Sequence, residues 1–390
     1  MVKKVIPGAD LFLKDHTHKI KNIALITNHT GVTSTGIPVW KVLHRGGYKI
    51  KAFFSPEHGL HGEKQDAVPV KDTFFNGIPV HSLFGTHEKP TEASLKNIGT
   101  LLYDIQDIGC RYYTYLYTLA YSMEVCNNTG TEILVLDRPN PVGILNVEGN
   151  EIPPSVSSFV GNFRLPNVHR LTVGEFARYL KSFFFKDVNL HVVPMENYSR
   201  SLSFEESGLP WIAPSPNIPT PLTAVLYPGT CLFEGTNVSE GRGTTRPFEI
   251  IGAPWIDGET LREKLRHENI PGAMFTSAYF TPAFSKYQEE QCEGVCLHIT
   301  DLKTFKPLLT GIIILYTVYR LYPEDFTWKQ DWEKESSYFI DKLTGFENTP
   351  TLFERSRDAK EIYSILDGKN TVYLNRRSGI LLYPDSPDTT

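Results

Sequence analysis

The sequence predicts an α/β protein: a Rossmann-like open, mostly parallel sheet joined to a second, smaller α+β domain. Apolar runs rich in β-branched and aromatic residues recur at residues 22–28, 48–55, 99–105 and 131–137. Runs that are largely apolar, rather than strictly alternating, read as parallel strands covered on both faces. The segments between them are long enough for helical crossovers, and that alternation defines an open α/β sheet. Near residue 256 the pattern changes to helix, two long strands, an apolar helix and a helical tail. Residues 1–255 are therefore expected to form the Rossmann-like domain and residues 256–390 the auxiliary α+β domain.

Taken in order, NIALITN, YKIKAFFS, GTLLYDI and TEILVLD supply the first four strands. Residues 112–127, with TYLYTLAYSMEV in the middle, carry apolar side chains at helical spacing. TVGEFARYLKSFF opens on Thr172 with Glu175 three residues later, the pairing of a capping box, and LHVVPM at 190–195 follows as a further strand. Residues 209–255 are rich in Pro and Gly and are expected as ordered loop containing one strand, AVLYPGT. Beyond them GETLREKLRH reads as helix, MFTSAYFTPAF and GVCLHITD as strands, and PLLTGIIILYTVYRLY as helix.

With 390 residues, 41% hydrophobic and 21% charged, the chain can bury a core without disulfides or a structural metal. Its 44 acidic residues outnumber 39 basic ones and no polybasic run occurs, so nucleic acid is not an expected partner. The longest apolar stretch, 312–316, is far below the roughly 20 residues of a spanning helix, so no membrane span is expected. Asp, Lys and His interrupt the first twenty residues where a signal peptide would be continuously apolar. As written the chain is expected to be cytoplasmic, or exported if a signal was removed. Five cysteines, Cys110, Cys126, Cys231, Cys292 and Cys296, lack the spacing of a disulfide framework or metal knuckle and read as mostly buried thiols.

Ligands of open parallel sheets bind at the carboxyl ends of the strands. Here those ends are followed by Asn28-His29-Thr30-Gly31, by Glu57-His58-Gly59, by Gln106-Asp107-Ile108-Gly109 and by Asp137-Arg138-Pro139-Asn140. Four polar, ionisable turns converging on one rim point to a site containing Asn28, His58, Gln106, Asp107, Asp137 and Asn140. Glu57 is the strongest catalytic candidate, because it leaves an apolar strand behind Pro56 and precedes the permissive Gly59. A half-buried carboxyl there suits a general acid. His58, His61 and Glu63 lie close in sequence, but their spacing is not the helical i, i+4 pair of zinc hydrolases and glycines break the segment. No metal is expected, and substrate hydrogen bonding is the preferred role.

The Gly-rich run 239–246 holds Glu240, a candidate second carboxylate, and Arg242, a candidate clamp for a substrate carboxylate. It matches neither GxxxxGK[ST] nor GxGxxG, so no nucleotide cofactor is expected, nor any other. Arg111, at the helix start past the third strand, is placed in the site. Its neighbours Tyr112, Tyr113, Tyr115 and Tyr117 are expected mainly in the core, with one or two facing substrate.

Taken together, SPEHG at 55–59, DIQDIG at 104–109 followed by RYYTY, LDRPNP at 136–141, PSPNIPT at 214–220, YPG at 227–229, SEGRGTTRPFE at 239–249 and GAPWID at 252–257 resemble the exo-β-N-acetylmuramidase family, over about residues 20–305. The family's HGMTVGE motif stands here as HRLTVGE at 169–175. The resemblance implies an active site in the cleft between the two domains and Glu57 as catalytic acid. It also implies release of N-acetylmuramic acid from the non-reducing end of peptidoglycan fragments in cell-wall recycling. Glycoside hydrolysis needs a proton donor and a second group, for which Glu240, Asp107, Asp137 and the substrate's own acetamido group all remain open. The lactyl carboxylate of muramic acid calls for a cation, Arg242 or Arg111. A non-catalytic peptidoglycan- or sugar-binding protein and a metal-assisted amidase or deacetylase are the alternative functions.

Overall fold

The computed structural model describes residues 3–14, 22–334, 337–368, 370–383 and 385, so the leader reading of residues 1–20 falls partly outside the described residues. The first sheet contains β1 (Asn22–Thr27), β2 (Lys49–Ser55), β3 (Thr73–Phe75), β4 (Ile78–Ser82), β5 (Thr100–Asp104), β6 (Glu132–Leu136) and β7 (Leu190–Val193). Its order is β3-β4-β2-β1-β5-β6-β7. Every neighbouring pair is parallel except β3 and β4.

Both faces of this sheet are covered, which is why its central strands are apolar throughout. Ala24, Ile26, Leu101 and Tyr103 enter the main core, while Ile23, Leu25 and Leu102 pack on the opposite face with Phe12, Val39 and Leu43. The chain leaves β1 toward β2 on one side and returns to β5 on the other. This reversal of direction makes the turns after β1, β2 and β5 neighbours at the strand ends, the switch point at which open α/β sheets bind ligands.

Several elements differ from the sequence expectation. The helix expected at 112–127 begins later, at Tyr115–Thr129, because the preceding residues form a turn. Gly109 has φ +80°, and a Cβ there would lie 2.0 Å from Asn140 Oδ1, so the turn depends on glycine. AVLYPGT is not a strand. It belongs to the helix Pro221–Thr230, whose start is set by the Thr220 side chain accepting the Thr223 N–H and by Pro221 in the first turn. The β3–β4 hairpin turns through Asn76 and Gly77, at φ +51° and +76°, the Asn-Gly signal of a type I′ turn. The capping box at Thr172 and Glu175 forms as expected, opening the helix Val173–Phe183.

The smaller lobe carries β8 (Ile250–Ala253), β9 (Ala273–Phe280) and β10 (Cys292–Ile299), an antiparallel sheet in the order β8-β10-β9. β8 joins it ahead of residue 255. The apolar helix Pro307–Leu321 buries Ile312, Ile313 and Ile314. Its orphan amides at Leu308 and Leu309 donate to the Glu148 carboxylate of the first lobe at 3.0 and 3.2 Å, which ties the lobes together. The short helices of the tail lead back to the first lobe, where Tyr383 donates its hydroxyl to Asp137 Oδ2 at 2.7 Å. All five cysteines are buried and free. No helix among the described residues is long and apolar enough to cross a membrane.

Candidate active site

Glu57 lies just past the end of β2 and is only 8% exposed. Its Oε1 accepts the Ala67 N–H at 3.0 Å and its Oε2 accepts the Thr114 hydroxyl at 2.7 Å, so both oxygens are oriented. His58 follows with φ +69°, an unfavourable conformation for a residue with a Cβ. Its Nδ1 lies 2.8 Å from the Lys64 carbonyl, which can only accept, so Nδ1 carries a proton.

Asp107, in the turn after β5, is 6% exposed. Oδ2 accepts the Gly109 N–H at 2.6 Å, whereas Oδ1 is a buried oxygen without a hydrogen-bond partner. Burial pushes this carboxyl up to about 7, against the N–H groups of Gly109 and Ile108. Tyr113 lies within electrostatic reach of both acids. Burial holds its phenol well above the ordinary range, opposed by Ser215 and reinforced by the nearby carboxyls of Asp107 and then Glu57. Its ring meets Tyr115 edge-on, with centroids 4.8 Å apart.

The turn after β1 closes this group. Asn28 donates to the Tyr115 hydroxyl at 3.0 Å, and that hydroxyl donates to the Pro214 carbonyl at 2.5 Å. Asn28 Oδ1 accepts the Thr30 N–H and hydroxyl, and Thr30 Oγ1 in turn accepts the Gln106 N–H. The Gln106 amide is turned to the carbonyls of Asp107 and Pro139, both at 2.7 Å, so it braces the turns after β5 and β6. Asn28 is thus tied to Tyr115 directly and to Gln106 through Thr30, Glu57 is tied to Thr114, and the His58 ring lies edge-on to Tyr115 with centroids 6.4 Å apart.

The remaining expected site residues are engaged in holding the fold. Arg111 is fully buried and donates to the carbonyls of Asn150, Leu165 and Leu343 at 2.9, 3.1 and 2.6 Å, turned into the protein rather than toward a ligand. Asp137 accepts from the Arg138 and Gly174 N–H groups and from the Thr172 and Tyr383 hydroxyls. Burial, with help from the Glu175 charge, pushes it up to about 6 against those donors. Asn140 caps its own turn, accepting the Val142 N–H and donating to the Leu171 carbonyl. Glu240 is buried between Lys286 at 2.8 Å and Arg242 at 3.1 Å; burial pushes its carboxyl up, but the two cations outweigh that and hold it below the usual range. Arg242 itself is shared by Asp66, Glu234 and Glu240, with no face left for a substrate carboxylate.

His58, His61 and Glu63 do not converge: the His61 ring packs on Phe75 and Glu63 pairs with Lys64 on the surface. Among the described residues no group of three His, Cys, Asp or Glu is arranged to hold a metal ion. Two surface grooves of about 630 and 540 Å³ share His87, Lys89, Pro90 and Thr91 and are lined by neither Glu57 nor Asp107. Sequence reasoning missed Thr114 and Ala67 and did not single out Tyr113. The RYYTY run was the available signal; Ala67 offered none, because it acts through its backbone.

Fold and site together define a two-lobed α/β protein with a pair of buried carboxyls at the switch point of a parallel sheet. Comparison with known proteins is consistent with that class. Residues 23–222 match the family model "Exo-beta-N-acetylmuramidase NamZ, N-terminal" and residues 225–383 match its C-terminal counterpart. The chain belongs to the exo-β-N-acetylmuramidase NamZ family, and the match extends through the tail, past the reach of the motifs. It is 41% identical over 385 residues to the peptidoglycan β-N-acetylmuramidase NamZ of Bacillus subtilis strain 168, covering 97% of this chain and 92% of that one. Two crystal structures of DUF1343 family proteins from Bacteroides fragilis NCTC 9343 share the fold. One superposes with a TM-score of 0.87 at 31% identity, covering 98% of this chain and 99% of that one. The other has a TM-score of 0.78 at 30% identity, covering 98% and 100%.

Proposed function

We propose that this protein is an exo-acting glycoside hydrolase that releases N-acetylmuramic acid from the non-reducing end of peptidoglycan fragments, using Glu57 and Asp107 as its two carboxyls. The observation that carries the reading is the pair of buried acids on the turns after β2 and β5, the two strands that flank β1: Glu57, oriented by Ala67 and Thr114, and Asp107. Hydrolysis of a glycosidic bond requires one carboxyl to protonate the leaving oxygen and a second group to assist attack at the anomeric carbon or to stabilise the positive charge there. Asp107, whose enclosed Oδ1 has no hydrogen-bond partner and whose proton burial retains to about pH 7, is the donor in this reading. Glu57, with both oxygens already accepting hydrogen bonds, is then the acceptor or stabilising carboxylate. This division reverses the one expected from the SPEHG motif. Among the neighbours, His58 has only its Nδ1 engaged, by the Lys64 carbonyl, and keeps Nε2 for a sugar hydroxyl, whereas the Asn28 side chain is held by Tyr115 and Thr30.

Leaving-group dependence tests the assignment. An acid variant fails on the natural disaccharide of muramic acid and glucosamine yet keeps turnover on a muramic acid aryl glycoside, whose phenolate leaves without a proton. Asp107→Ala should show this split, with free N-acetylmuramic acid as product, and Glu57→Gln should lose both activities. If Glu57→Gln shows the split instead, the roles are exchanged. If neither variant is impaired, the carboxyl pair is not the site.

A further inference from the structure

An ion pair crosses the seam between the lobes and ends one residue from the group that orients Glu57. Arg242 belongs to the Gly-rich 239–246 loop, which joins the second lobe by the Ser239–Gly252 bridge to β8; it bonds Glu234 at 2.5 Å and Glu240 at 3.1 Å there, and Lys286 backs Glu240 at 2.8 Å. Its guanidinium also lies 4.9 Å from the Phe248 ring centroid. So fixed, it reaches Asp66 Oδ1 of the first lobe at 2.8 Å. The next residue, Ala67, donates its N–H to Glu57 Oε1 at 3.0 Å. Ala67 has φ +57°, a conformation that an alanine adopts at a cost, so its loop needs outside restraint to keep this shape. Asn217 supplies a second restraint by donating to Gln65 Oε1 at 3.0 Å.

We infer that the Asp66–Arg242 bridge is a positioning latch: the second lobe sets the Ala67 N–H, and through it the Glu57 carboxyl, without either latch residue touching substrate. The inference rests on Glu57 being a reacting carboxyl. It gives Arg242 a role other than binding the substrate carboxylate, and it makes the reactive geometry depend on both lobes.

Asp66 has a side chain 46% exposed, so truncating it opens no buried hole. Arg242→Ala would leave Glu234 without its cation and Glu240 with Lys286 alone; Arg242→Lys keeps the charge and shortens the fork. Asp66→Ala is expected to lower kcat by about 10- to 30-fold with KM within about threefold, the signature of a misaligned reacting group rather than a lost substrate contact. Asp66→Glu should recover part of kcat. Arg242→Lys should reproduce the loss, and the double variant should be no worse than either single one. In the residual activity of Glu57→Gln, Asp66→Ala should cost nothing more. An unchanged kcat, a rise in KM at constant kcat, or losses that multiply in the double variant would overturn the latch. Undiminished turnover in Glu57→Gln would remove the reading beneath it. An inactive Glu57→Gln beside a fully active Asp66→Ala would sink the latch alone.

Discussion

Asp107 and Asp137 stand just beyond the ends of adjacent parallel strands, β5 and β6, and burial raises both, to about 7 and about 6. Their surroundings differ in one respect. Asp137 accepts from two N–H groups and two hydroxyls, one of them Tyr383 of the returning tail, so its oxygens are fully occupied by the protein. Asp107 keeps one oxygen without a partner. Burial and a perturbed pKa are common to a structural acid and a candidate catalytic one. What separates them is whether the fold itself uses up the hydrogen-bonding capacity.

The contrast can be broken by substitution. Glu57→Gln should have the largest effect, lowering kcat/KM by about 10³-fold while the thermal midpoint stays near that of the parent. Asp107→Asn should cost about 10²-fold on the natural disaccharide and change the pH profile. If its protonated form is the donor, parent activity falls as pH rises through about 7, and the variant loses that limb. A parent profile that instead rises through pH 7 would make Asp107 a base. Asp137→Asn should act on stability, losing about 2–3 kcal/mol in urea unfolding because four donors face a poorer acceptor, with activity per folded molecule nearly unchanged. An inactive but fully stable Asp137→Asn would erase the distinction between the two acids.

The smallest effect concerns the joint between the lobes. Burial pushes Glu148 up to about 7, so the folded protein holds a proton there that the unfolded chain releases above its ordinary pKa of 4.5. Stability from this group is complete below about 4.5 and declines as pH rises toward 7. Glu148→Gln, which removes the titration and leaves an oxygen for only one of the Leu308 and Leu309 amides, should abolish roughly 2 kcal/mol of that decline while lowering stability at every pH. Unfolding free energies at pH 5 and pH 8 measure it.

Much of the fold was legible because its signals are local. The apolar runs of β1, β2, β5 and β6 required cover on both faces, and the Thr172–Glu175 capping box identified its helix before any packing was known. The helix Pro221–Thr230 was misread because its β-branched and aromatic content outweighed the Thr220-Pro221 start signal. In the site, the turns after the strands were visible as polar clusters, but their internal division was not. Arg111 and Arg242 carry the charge that a substrate carboxylate would seek, and nothing local shows that distant carbonyls occupy Arg111 or that Asp66 joins Glu234 and Glu240 on Arg242.

The sequence by itself determined where strands end and which side chains stand there, because strand periodicity and turn chemistry act over a few residues. Only the tertiary structure decided which of those side chains remain available for chemistry. Availability depends on donors brought in from far along the chain: Tyr383 on Asp137, Ala67 on Glu57, and none on the second oxygen of Asp107.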